Sequence, residues 1–218
     1  MRNACIAILL LWLPLGAHAQ QYLFGVYLDD KRIGTHHFTV ERDPTNDAVR
    51  VTSNAEFTVK VLSIPVFRYR HAAVENWRAG CLESIDTETH VNGTRTSLTG
   101  RRHAAGFEVD VTSSDGEHRR ALPACIASYA YWDADTLRQH RELLNGQTGA
   151  YQPVEQVLVP ESQRSLLELK GDAFQIDVSY ENSDGRWVAL QTTTQDGRAL
   201  RYRLETPPPS KGLPLSQR

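Results

Sequence analysis

Period-two alternation of apolar and polar residues runs through this chain almost from end to end, and it leaves few folds open. In FQIDVSYE the apolar side chains Phe174, Ile176, Val178 and Tyr180 are separated by Gln175, Asp177 and Ser179, the pattern of a strand with one dry and one wet face. The turn Asn182-Ser183-Asp184-Gly185 leads into a partner strand at Trp187–Thr192. Asp196-Gly197 then leads into a third, where Leu200, Tyr202 and Leu204 alternate with arginines. Three such strands joined by turn residues make an antiparallel meander. The amino-terminal half uses the same grammar, with strands expected over residues 22–28, 33–41, 48–62, 68–78, 82–90, 94–101 and 107–112. Asp29-Asp30-Lys31, Ile64-Pro65, Gly80, Asn92-Gly93 and Ala105-Gly106 punctuate them. About ten strands in succession, with no helices alternating between them, predict one all-β domain: a single antiparallel sheet that curves strongly or closes into a barrel.

One segment departs from this pattern. In YAYWDADTLRQHRELLNGQTG, Asp133 stands where an N-cap belongs, Leu137 and Leu144 fall on one side of a helix, and Asn145-Gly146 is a stop. The spacing predicts one helix of about three turns over residues 133–145, plugging or lidding the sheet. The ends of the chain read differently again. MRNACIAILLLWLPLGAHAQQ carries a basic Arg2, an apolar run from Ala4 to Leu15 and the small-x-small pattern Ala17-His18-Ala19, which predicts an export signal over residues 1–19, cleaved after Ala19. The apolar run is shorter than the about 20 residues a helical membrane span needs, so no transmembrane segment is expected, and the β domain would occupy residues 20–205 in the periplasm or outside the cell. The tail 206–218, TPPPSKGLPLSQR from its threonine on, is too rich in proline and too poor in apolar residues to pack, and is expected to be disordered.

Export makes the cysteines readable. Cys5 lies in the signal, which leaves Cys81 and Cys125 to meet an oxidising compartment, where one disulfide is the expected state. With a formal net charge of −2 and no clustered basic face, the chain lacks the electrostatic footprint of a nucleic-acid binder. It also lacks a Gly-x-Ser-x-Gly elbow, Ser-x-x-Lys, His-Glu-x-x-His, a phosphate loop and a dinucleotide fingerprint, so no cofactor is expected. His36-His37 resembles a metal pair, but neighbours on a strand point to opposite faces and no ligand cluster has a recognised spacing, so no metal is expected either.

The richest stretch is VFRYRHAAVENWRAGC, residues 66–81. On a strand its odd positions, Phe67, Tyr69, His71, Glu75 and Trp77, share one face, and Arg68, Arg70 and Arg78 share the other. His71 and Glu75 would be about 13 Å apart at Cα and cannot form an acid–base pair by themselves. Any partner must come from another strand. The odd face is therefore a wall first, and an aromatic wall with a few fixed polar groups is how a ligand pocket is commonly lined. Phe67, Tyr69, His71, Glu75, Trp77 and His36 are the candidate ligand-binding residues.

Three stretches, FTVKVLSIPVFRYRHAAVENWRAGCLESIDTETHVNG, YWDADTLRQHRELLNGQTG and GRWVALQTTTQDGRALRYRL, resemble the exported bacterial domain-of-unknown-function family 6134, in matching order from Tyr22 to Leu204. FGVYLDDKRIGTHHF is more weakly similar to domain-of-unknown-function family 3108. What the resemblance implies is a bacterial, periplasmic, mostly β protein with a link to envelope lipid metabolism; it supplies no activity and no catalytic residues.

Three readings of function follow. The first is a binding or accessory protein holding an apolar or amphipathic, lipid-like molecule in a curved β cavity. The second is a lipid-directed isomerase or hydrolase with His71 or His36 as its base. The third is a purely structural envelope protein. A cavity of several hundred cubic ångströms would favour the first two. A base within hydrogen-bond reach of a second polar group at the cavity floor would separate enzyme from binder.

Overall fold

The computed structural model describes residues 18–205. The expected export signal and the expected disordered tail lie outside them, apart from His18 and Ala19. Sixteen strands and one short helix follow one another: β1 His18–Leu28, β2 Lys31–Asp43, β3 Ala48–Val61, β4 Ile64–Arg78, β5 Cys81–Val91, β6 Thr94–His103, β7 Gly106–Ser113, β8 Gly116–Leu122, β9 Ala127–Ser128, α1 Ala134–Gln139, β10 Glu142–Leu144, β11 Tyr151–Pro153, β12 Glu155–Pro160, β13 Arg164–Gly171, β14 Phe174–Glu181, β15 Trp187–Thr193 and β16 Ala199–Leu204. Thirteen strands form one sheet in the order β12-β13-β14-β15-β16-β1-β2-β3-β4-β5-β6-β7-β8. Every neighbour is antiparallel, and only the β16–β1 pair, Phe24 opposite Leu204 through Leu28 opposite Leu200, joins strands that are not consecutive. The sheet is open, with β12 and β8 as its edges.

A sheet this wide has to curl, because each strand is twisted relative to the last. What it curls around is the connection between its two edges. Residues between β8 and β12 turn inward and carry a second small sheet, β11-β10-β9, together with α1. Ile126, Ala127, Ala130, Trp132, Leu137, Leu143, Leu144 and Val154 from this plug share one core with Phe24, Val40, Val51, Trp77, Leu82, Ile85, Leu98, Phe107, Leu167, Val178 and Trp187 from the sheet. Polar staples fix it in place. Arg42 pairs with Asp133 at 3.3 Å, Tyr180 Oη donates to the Tyr131 carbonyl at 2.9 Å, and the Cys81–Cys125 disulfide ties the start of β5 to the plug's first residues.

Two expectations need correcting. The helix over 133–145 ends at Gln139, and Leu143 and Leu144 lie in β10 instead. Asp133 does cap it, accepting from the Thr136 amide at 3.0 Å. Its carboxyl end stops because Gln156 Nε2 donates to the Leu137 and His140 carbonyls at 2.9 and 2.6 Å, which frees the next residues to pair with β9 and β11. About ten strands become sixteen, since β8, β12 and β13 carry no clean alternation and β9, β10 and β11 are two or three residues long. GEHRRAL of β8 is exposed over all but its last residue, as an edge strand guarded by charge should be.

Candidate functional site

The hollow of this fold comes from small residues in the middle of the inner face. On β3 and β4 that face runs Val51, Ser53, Ala55, Phe57 and Tyr69, His71, Ala73, Glu75, Trp77. Large side chains at both ends flank Ser53, Ala55 and Ala73 in the centre, so plug and sheet cannot close there. The space left is about 320 Å³, between β2–β5 on one side and Ser128, Tyr129, Tyr131, Phe174 and Gln152 on the other. That is the low end for ligand pockets, sized for one short chain or ring and too small for a two-chain lipid.

Strand register delivers the polar groups. His36 lies opposite Ala55, Ala55 opposite His71, and His71 opposite Thr89, so the two histidines stand in one row across three strands with only a methyl group between them. The next row is Phe38, Ser53, Ala73 and Thr87; the one after is Val40, Val51, Glu75 and Ile85. Within this grid His36 Nε2 is 2.7 Å from Ser53 Oγ, and His71 Nδ1 is 2.8 Å from Thr89 Oγ1. Glu75 accepts from Ser128 Oγ at 2.7 Å and from Trp77 Nε1 at 3.0 Å. Thr87 Oγ1 donates to the Gly146 carbonyl at 2.6 Å, closing the floor against the plug.

Burial sets the charge of this grid. Desolvation, with smaller contributions from His71 and His37, holds His36 down at about 3. Desolvation alone holds His71 at about 4. Glu75 is pushed up by desolvation, against the opposing hydrogen bonds from Ser128 and Trp77. Both imidazoles are therefore neutral at pH 7, and the cavity offers no fixed positive charge. The His36 Nδ1 atom is buried without a hydrogen-bond partner. An unpaired lone pair costs less than an orphaned N–H, so the proton belongs on Nε2, donating to Ser53, and the Ser53 hydroxyl hydrogen is left for whatever enters.

Of the six sequence candidates, His36, His71 and Glu75 meet at the cavity, while the other three serve other surroundings. Trp77 is 2% exposed and packs edge-on against Trp132 at 5.7 Å, so it is core and a donor to Glu75. Tyr69 stacks on Phe57 at 5.0 Å in a separate apolar cluster. Phe67 is half-buried beyond the last residue that pairs with β5. The face assignment nevertheless holds along the strand: Arg68, Arg70 and Arg78 are exposed, and Trp77 and Ala73 are buried. Sequence reasoning missed Ser53, Thr87, Thr89, Ser128, Tyr129 and Tyr131. Ser53 was findable as the small polar residue on an apolar face; nothing local in SYAYW shows that it folds inside the sheet.

Comparison with known proteins agrees with this architecture. A family model described as "Domain of unknown function (DUF6134)" matches residues 24–205, so the chain belongs to that family. No curated protein sequence matches it. Among solved structures, it is similar to the "Beta-barrel-like Protein of Domain of Unknown Function DUF1849 from Brucella abortus", with a TM-score of 0.54 and 11% identity over 87% of this chain and 96% of that one. At that identity the likeness is one of fold. No helix among the described residues is long and apolar enough to cross a membrane.

Proposed function

We propose that this member of the DUF6134 family is an exported binding or accessory protein that holds a small amphipathic molecule between the inner face of its sheet and the plug. The observation that carries this reading is the cavity of about 320 Å³, walled by aromatic side chains and floored by polar groups, of which burial keeps both histidines neutral. Such a site selects an uncharged, partly apolar ligand: a single short chain or ring inserted beside Phe38, Tyr131 and Phe174, with a hydroxyl or carbonyl reaching Ser53 or His71. A negatively charged headgroup would find no counter-charge there, since both imidazoles are neutral. The expected lipid-like ligand is thereby narrowed to a single-chain or small-ring compound.

An enzyme reading rests on the 2.7 Å approach of His36 to Ser53. Two features count against it. The unpartnered Nδ1 supplies nothing to orient or stabilise an imidazolium, and a base held near 3 takes a proton poorly at pH 7.

Native mass spectrometry of protein purified from its own compartment, with and without Ala73→Phe, tests the proposal. Ala73 is buried on the cavity wall, so phenylalanine there fills the hollow without crossing the outer face. Wild type should carry a bound molecule of low mass that the variant lacks, with circular dichroism unchanged. Equal retention by both would remove the cavity as the binding site. Turnover of nitrophenyl esters that disappears in Ser53→Ala would instead favour hydrolysis.

A further inference from the structure

We propose that the tip of the β3–β4 hairpin is a surface anchor that seats in the headgroup layer of a bilayer carrying anionic lipids. The argument is independent of the cavity. β3 and β4 are the longest strands after which the sheet gives out: the ladder to β2 ends at Gly34 opposite Phe57, and the ladder to β5 ends at Tyr69 opposite Val91. From Val59 to Phe67 the two strands pair only with each other, making a two-stranded arm beyond the body of the sheet.

The large exposed hydrophobic side chains among the described residues are concentrated on this arm. Val61 is 56% exposed, Leu62 92%, Ile64 66% and Val66 54%, and these are four of the seven large exposed hydrophobics among the described residues. A fifth, Val91, sits at the arm's base, opposite Tyr69. Scattered exposed apolar residues are ordinary, but a group gathered at one projecting tip marks an interaction site.

The turn shows that the apolar tip is held against local preference. Leu62 and Ser63 both adopt left-handed conformations, φ 48° and 71°, the pair that two-residue hairpins normally assign to Asn-Gly. The same sheet uses that pair two hairpins later, where Asn92 and Gly93 have φ 51° and 91°. Leucine in the first position is strained and poorly solvated at once. Both costs would fall on mutation to Asn-Gly, which makes the exposed leucine side chain the feature that calls for a partner.

The chemistry around the tip chooses among occupants. Between Phe57 and Val74 the chain carries Lys60, Arg68 and Arg70 and no acid. Arg70 is paired with Glu56 at 3.1 Å, while Asp29 and Asp30 of the neighbouring turn face Arg198 and Arg201. An apolar point with a basic collar fits an acyl–headgroup boundary with anionic lipids, the lysine and arginine stems lying along the apolar surface while their charges stay at the phosphates. Strand addition fits poorly, because the backbone is blunted. Pro65 has no N–H, Lys31 Nζ covers the Lys60 carbonyl at 3.1 Å, and Asn92 takes both the Arg68 N–H and carbonyl.

Co-sedimentation of the purified protein with vesicles tests this. Vesicles of phosphatidylethanolamine with phosphatidylglycerol should retain wild type about tenfold better than phosphatidylcholine alone. The paired change Leu62→Asn and Ser63→Gly should lower retention by about tenfold, while its melting temperature is equal or higher because the turn is relaxed. Leu62→Asp with Ile64→Asp should abolish retention with the circular dichroism spectrum intact. Wild type that ignores anionic vesicles, or an Asn-Gly turn that binds them as well as wild type, would overturn the proposal. So would a concentration-dependent dimer in size-exclusion chromatography that the Asp variants dissolve, which would assign the tip to a second copy of this chain.

Discussion

Acid should destabilise this fold through two histidines, and the effect can be worked out from their surroundings. His36 and His71 have ordinary values of 6.5 when unfolded and are held at about 3 and about 4 in the native state by burial. Their native values are depressed, so between the native and unfolded values the unfolded chain binds more protons and stability rises with pH. Each contribution is fully present above about pH 6.5 and is lost as pH falls toward the native value. From pH 7 to pH 5 the loss is about 2 kcal/mol per histidine, about 4 kcal/mol for both. Glu75 acts the other way. Its value is raised, so its contribution is present below its unfolded value of about 4.5 and fades as pH climbs. The clean measurement is therefore made in a Glu75→Gln background, by urea unfolding at pH 5, 6 and 7. Adding His71→Asn, which keeps a polar atom near the position of Nδ1 to meet Thr89, should halve the slope. A flat stability from pH 7 to 5 in Glu75→Gln, or an unchanged slope after His71→Asn, would refute the assignment of neutral, buried imidazoles.

Replacing Trp77 by alanine should cost about 3–5 kcal/mol in urea unfolding, since it leaves a void beside Trp132 and strips Glu75 of a donor, while Arg70→Ala, exposed and paired only with Glu56, should stay within about 0.5 kcal/mol. Removing the Cys81–Cys125 bridge, whose ends are 44 residues apart, should lower stability by about 4 kcal/mol on the chain-entropy account; thiol titration of the unfolded, unreduced protein should find neither cysteine free. Gly34→Ala should prevent normal folding, because a Cβ there would stand 1.9 Å from the Glu56 carbonyl oxygen in the adjoining strand. A soluble Gly34→Ala protein with wild-type melting behaviour would contradict the β2–β3 register.

Register was the most legible feature, and for a physical reason. A period of two allows one choice of inner face, and VFRYRHAAVENWR made that choice unambiguous, so Trp77 lies inside and Arg68, Arg70 and Arg78 outside as the alternation demands. The turns at Asn92-Gly93 and Asp196-Gly197 were legible because those residues tolerate left-handed backbone, as their glycines in fact adopt it. Leu62-Ser63 was illegible for the converse reason, with Pro65 read as the break instead. Leu137, Leu143 and Leu144 suit a helix and a short strand equally. The choice was made by Gln156, Ala127 and Tyr151, which no local pattern brings near. The cavity fell between these cases. His71 and Glu75 were visible on one strand, but their meeting with His36 depends on two hairpin registers, and their meeting with Ser128 on the plug turning inward.

The pairing of β1 with β16 sets an order of assembly. β1 precedes the other strands in the chain and can zip with β2 as soon as the two are free to fold, yet its other side, Phe24 to Leu28, stays bare until residues 200–204 arrive. Until then Val26 and Phe24, both fully buried in the finished molecule, border an edge that any extended chain can join. The last strand is thus a seam, and a chain cut short before Ala199 leaves the middle of the sheet, and not its margin, unsealed. Joining the two termini and opening the chain elsewhere would turn that late closure into an early hairpin, shortening the time the edge stands open without altering one native contact.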